Sequence, residues 1–196
     1  MVARARDEEG RTATTLELLF DLVFVVAVSS AAASLHHGLS GQDVAQSLLS
    51  YALVFFAIWW AWMNFSWFAS AYDNDDVPYR LHVFVIMAGA LILAAGVPRA
   101  FEEGDFGFTA LGYVVMRLPL VALWLRAARS DPERTATAHR YAIGISILQL
   151  GWVALALSGV TWFLLAFLVL AVLELMVPAW AERAASTTWH GEHISE

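Results

Sequence analysis

The sequence contains no cysteine and no lysine, and only 15% of its 196 residues are charged. Without cysteine, disulfides and thiolate metal sites are excluded, and the redox compartment leaves no mark. Without lysine, the basic side chains of the Lys/Arg class are eleven arginines, and these form no stripe suited to nucleic acid. The acids behind the net charge of -7 sit mainly in short connections and tails, so nucleic acid is set aside as a partner. Polar surface is scarce as well. With 60% hydrophobic residues, nine Trp, twelve Phe and a mean hydropathy of +0.63, the chain cannot cover a soluble globule. The expected solvent is a lipid bilayer.

What the chain does have is six apolar runs, at about 16–35, 44–71, 80–97, 106–125, 141–157 and 160–181. Each approaches or exceeds the length of about 20 residues that a helix needs to cross a hydrocarbon core about 30 Å thick. Barrel strands would alternate over about 10 residues, whereas these runs are apolar all round. The expectation is an all-α, polytopic membrane helical bundle: a tail over 1–14, six transmembrane helices within 15–182, and a polar segment over 183–196. Arg4, Arg6 and Arg11 ahead of an apolar run superficially resemble a cleavable signal peptide. Asp21 inside the run and the acidic Asp7-Glu8-Glu9 argue against one. The arginines also predict orientation. With both ends in the cytoplasm, Arg4, Arg6, Arg11, Arg80, Arg126, Arg129, Arg134, Arg140 and Arg183 lie inside and only Arg99 outside, as the positive-inside rule requires.

Ionisable side chains within membrane helices are costly enough that each needs a partner, a water cavity or a task. Asp21, Arg117, Glu174 and Glu17 are of this kind, and Asn64 and Gln149 join them as polar groups. At 1.5 Å per residue, Asp21 falls about 7 Å from the cytoplasmic boundary, Glu174 and Asn64 about 10 Å, Gln149 about 13 Å and Arg117 about 14 Å. A polar cluster in one leaflet is expected. Thr14 followed by Glu17 fits a capping box, which makes Glu17 structural. Asp21 reads either as the buried counter-ion of Arg117 or as a carboxylate that exchanges a proton or coordinates a cation. Pro178 leaves the Glu174 carbonyl without its helical donor, and Pro119 does the same for Val115 beside Arg117.

Other motifs read as structural. The rings of Trp59-Trp60-Ala61-Trp62 and the aromatic residues that follow project all round their helix, as packing and lipid contact require. The turn Asp73-Asn74-Asp75-Asp76 lacks the central Gly and distal Glu of a calcium loop and reads as solvated. His36 and His37 close the first helix. No Ser-His-Asp spacing, P-loop or HExxH is present, and the residues name neither a cofactor nor a resident metal.

Glu17-Leu18-Leu19-Phe20-Asp21-Leu22-Val23-Phe24-Val25 resembles the "ELFFDLVFV" opening of the bacterial low temperature requirement protein A family. Trp59-Trp60-Ala61-Trp62 with the turn at 73–76, then Arg80-Leu81 with Met87 and Ala100-Phe101 after Pro98, and then Tyr113-Val114 with Arg117 are similar to that family's successive segments. Trp189-His190-Gly191-Glu192-His193-Ile194-Ser195-Glu196 resembles the start of its "WHxxHIxER-GL" signature. The resemblance implies a multi-pass protein of the bacterial inner (cytoplasmic) membrane. It also implies that the chain corresponds to the family's N-terminal half, with His190, His193 and Glu196 beginning a site completed by a second half. A natively short chain would restore the doubled module as a homodimer. Three functions are expected, in descending order: a transporter or permeation protein for an ion or small solute, with Asp21 as exchangeable charge, Arg117 tuning it or binding an anionic group, and Glu174 assisting; a non-transport scaffold; and a membrane-embedded enzyme.

Overall fold

A computed structural model describes residues 2–3, 14–40 and 43–187. The described chain is helical apart from turns and one two-residue antiparallel pairing of β1 (Val2–Ala3) with β2 (Tyr72–Asp73). The six helices are α1 (Thr15–Leu39), α2 (Val44–Ala71), α3 (Val77–Glu102), α4 (Gly107–Ser130), α5 (Thr135–Ser158) and α6 (Phe163–Ala181). All six are long and apolar enough to cross a membrane. Leu18, Leu22, Val25 and Val26 of α1 and Leu165, Leu168, Val169, Val172 and Met176 of α6 are exposed, an apolar surface that suits hydrocarbon and not water.

Most helices run past their expected ends, and local chemistry shows how. In α1, the Thr14 hydroxyl accepts from the Glu17 amide at 3.2 Å, and the Glu17 carboxylate accepts from the Thr14 amide at 2.9 Å, closing the expected capping box. α3 starts at Val77, three residues before the expected start, because Asp76 accepts from the Tyr79 amide at 2.9 Å and caps the first turn. It also continues through Pro98 to Glu102, beyond the expected end at Val97. A proline there deprives the Ala94 carbonyl of its helical donor, and the Ser30 hydroxyl supplies one at 3.1 Å. α4 runs on to Ser130, and α5 begins at Thr135 after a short 3-10 turn over Pro132–Arg134. The tight link before α6 uses Gly159 with φ 58°, a left-handed helix end that favours glycine.

The chain forms two compact units. The first comprises Ala13–Met63 and Val83–Met116. Within it α1 and α2 run antiparallel, Asp21 meeting Trp62 and Gly38 meeting Ser47, with Phe20, Phe24, Ala27 and Ala31 as the buried face of α1. α3 and α4 approach so closely that a Cβ on Gly112 would lie 2.4 Å from the Leu93 amide nitrogen and 2.6 Å from the Gly89 carbonyl oxygen. Only glycine fits there. The second unit comprises Met1–Thr12, Asn64–His82 and Arg117–Glu196. Its centre is aromatic: Trp124 stacks on Tyr141 at 4.1 Å between centroids and meets Phe68 and Tyr72 edge-on.

Candidate functional site

The second unit buries an ion pair. Arg117 on α4 donates from Nη2 to Oε2 of Glu174 on α6 at 2.9 Å, and the two side chains are 1% and 2% exposed. Trp152 of α5 donates from Nε1 to the other carboxylate oxygen at 3.0 Å. Three helices thus converge on one carboxylate, and both of its oxygens accept a charge-assisted hydrogen bond. Gln149 lies one helical turn before Trp152. It is buried, and neither end of its amide has a hydrogen-bond partner among the described residues. α5 and α6 come close enough here for Gly144 to pack against Val177 and Gly151 against Leu170.

A second polar network in the same unit ties helix ends together. Asp76 receives both terminal nitrogens of Arg126, one of them at 2.8 Å. Hydrogen bonding to Arg126, helped by the Tyr79 amide, lowers the Asp76 carboxyl to about 2 despite some desolvation. Asp75 takes a bidentate bond from Arg80 at 2.8 and 2.6 Å, which lowers its pKa in turn. The buried Asp131 accepts from Arg134 at 3.0 Å and lies 3.5 Å from the Tyr72 hydroxyl. Burial, reinforced by Asp131, raises the Tyr72 phenol well above its ordinary range. Tyr141 donates to Glu182 at 2.9 Å, and Glu182 also accepts from the Thr187 amide at 2.7 Å. The acidic turn expected to be merely solvated is therefore built into this network.

The six residues expected in one cluster divide between the units. Arg117, Glu174, Gln149 and Asn64 belong to the second, all of them buried. Glu17 and Asp21 belong to the first. Glu17 is engaged in the α1 cap, and Asp21 is exposed on α1, accepting a 2.8 Å hydrogen bond from the Trp62 indole. The carboxylate paired with Arg117 is Glu174, reaching it from α6, where Asp21 as counter-ion was one of two expected readings. The aromatic run of α2 divides too. Trp60, Phe65 and Phe68 are buried, whereas Trp59 is partly exposed. His190, His193 and Glu196 lie outside the described residues. Among the described residues no group of three or more His, Asp or Glu is placed to hold a metal ion.

Sequence reasoning missed Trp152, Trp62 and the Asp76–Arg126 pair. Position along a helix gives depth, and neighbours in space depend on which helices meet. The one available signal for Trp152 was its place one turn beyond Gln149, on the same side of α5.

Six membrane-length helices and an intramembrane ion pair define a polytopic integral membrane protein. Residues 12–196 match the bacterial low temperature requirement A protein (LtrA) family, and the chain belongs to that family. It is 28% identical over 203 residues to an uncharacterised protein of Rhizobium meliloti (strain 1021). That alignment covers 98% of this chain and 48% of the relative, so the chain spans about half the relative's length. No solved structure matches the chain significantly.

Proposed function

We propose that the chain is the membrane-embedded first half of a transport or permeation protein of the bacterial cytoplasmic membrane, with both ends inside. The observation that carries this reading is the fully buried Arg117–Glu174 pair, because charges inside a membrane mark ion and solute pathways more often than they serve as mere fillers. In this reading the exchangeable carboxylate is Glu174, a role first expected of Asp21. Protonation of Glu174, or an anion competing for Arg117, would break the bond between α4 and α6. The unpartnered Gln149 amide offers an acceptor and a donor to whatever enters. Pro119 and Pro178, each within two to four residues of a member of the pair, supply points at which α4 and α6 can bend. Orientation rests on nine arginines against one. A second half would complete the transport module, either as further chain or as a second copy.

A scaffold role is the second reading. It is favoured by the fact that both Glu174 oxygens already have donors, so the pair can serve simply to hold α4, α5 and α6. Proton flux separates the two. The protein at its full native length, reconstituted into liposomes containing pyranine, is expected to conduct protons under a pH gradient, and Glu174→Gln to lose that flux while staying folded. Wild-type liposomes no leakier than protein-free ones would sink the proton-transport reading. For orientation, these 196 residues contain no cysteine, which permits single labels at the exposed Glu103 and Ser130 in this chain. Only Ser130→Cys should be protected from an impermeant maleimide applied outside the cell.

A further inference from the structure

In the first unit, α1 and α2 border a cavity of about 310 Å³ whose lining includes neither Arg117 nor Glu174. Its walls follow helical spacing. Asp21, Phe24 and Val28 come from one face of α1, and Phe55, Trp59 and Trp62 from one face of α2. Asp21 sets a carboxylate in a mainly apolar, aromatic cleft that also carries the Ser29 hydroxyl. The Trp62 indole donates to one Asp21 oxygen at 2.8 Å, and the other accepts no hydrogen bond among the described residues. Over 14–40 and 43–63 there is no arginine, and the histidines present, His36 and His37, lie at the opposite end of α1, about 22 Å along the helix from Asp21. This hairpin therefore presents a carboxylate inside a membrane-length helix and brings no arginine to it.

We propose that this cavity binds a lipophilic organic cation, an ammonium group carrying a compact apolar body. The charge would lie against Asp21 and over the faces of Trp59 and Trp62, where ring quadrupoles attract cations. The apolar body would run along Phe24, Val28 and Phe55. The volume suits one such molecule, and a small apolar pocket with one fixed charge has the composition of a ligand site. The site stands whether or not the Arg117–Glu174 pair conducts.

The test uses the protein in maltoside micelles and benzyltrimethylammonium as probe, with equilibrium dialysis against protein-free micelles. Saturable binding to a single site is expected. Asp21→Asn should weaken it at least tenfold and Trp59→Leu several-fold, with Asp21→Glu keeping most of the affinity. Neopentylbenzene, the neutral isostere, should not compete. Asp21 is exposed, so Asp21→Asn should retain its helical circular dichroism; if it does not, Trp59→Leu and the isostere carry the test. Unchanged affinity in the folded Asp21→Asn or Trp59→Leu variant overturns the proposal, as does competition by the isostere at matching concentration. Displacement by dodecylphosphocholine at the concentrations where the probe acts would overturn it in favour of a lipid headgroup. Glu174→Gln, which tests the transport reading, should leave probe binding unchanged.

Discussion

In the first unit the glycines of α3 and α4 meet backbone, whereas in the second the glycines of α5 meet side chains of α6 and a buried ion pair with its hydrogen bonds joins α4, α5 and α6. Gly89, Gly96 and Gly112 each bring one backbone to within a Cβ's width of the other helix. Lipid tails are as apolar as leucine, so helices there gain from close van der Waals approach, which small residues permit. The second unit also packs glycines, Gly144 and Gly151, against side chains of α6, and in addition it buries Arg117, Glu174, Asp131 and Gln149. Closeness fails when an atom is added, and a buried pair fails when one member is removed.

The largest expected break in this comparison is Arg117→Leu alone. It removes the Arg117 partner of the buried Glu174 and should destabilise the protein by about 3–5 kcal/mol in reversible unfolding in mixed micelles. Gly112→Ala comes next, at about 1–3 kcal/mol, because the added carbon meets backbone and not a movable side chain. Thr14→Ala removes one side of the α1 cap, and about 1 kcal/mol should be lost by the same assay. The smallest effect is a pH dependence. Asp76 is held at about 2, below the ordinary 3.8, so its stabilising contribution is present above pH 3.8 and lost as pH falls towards 2. Melting curves should show Asp76→Asn less stable than wild type at pH 5, with the gap narrowing by pH 2.5. A constant gap would mean that the Arg126 bond does not depress Asp76.

The helices were legible because crossing a membrane demands long apolar runs, and α2 begins and ends where the run does. The ends of α3 were not. A reading that stops at Pro98 cannot know that Ser30, 64 residues earlier, will satisfy the carbonyl the proline abandons. The site was half legible for a similar reason. Arg117, Glu174 and Gln149 stood out as polar groups at comparable depth, and all three are buried in one unit. Depth left the angular direction of each side chain open, which is why Asp21 was expected at Arg117 when Glu174 and Trp152 converge there. The glycines of α3 and α4 carried a packing signal, Gly89 and Gly96 being seven residues apart on one helix face, and Gly112 is the reciprocal position on α4.

A double-mutant cycle at Arg117 and Glu174 asks whether the buried pair does more than hold helices together. Arg117→Leu and Glu174→Leu singly should each lose stability and proton flux. Combined, they replace a matched ion pair with apolar side chains and should regain most of the lost stability, since such replacements are often neutral. Flux should stay lost in the restored double variant. Flux that returns together with stability would contradict that expectation and leave the pair a structural one.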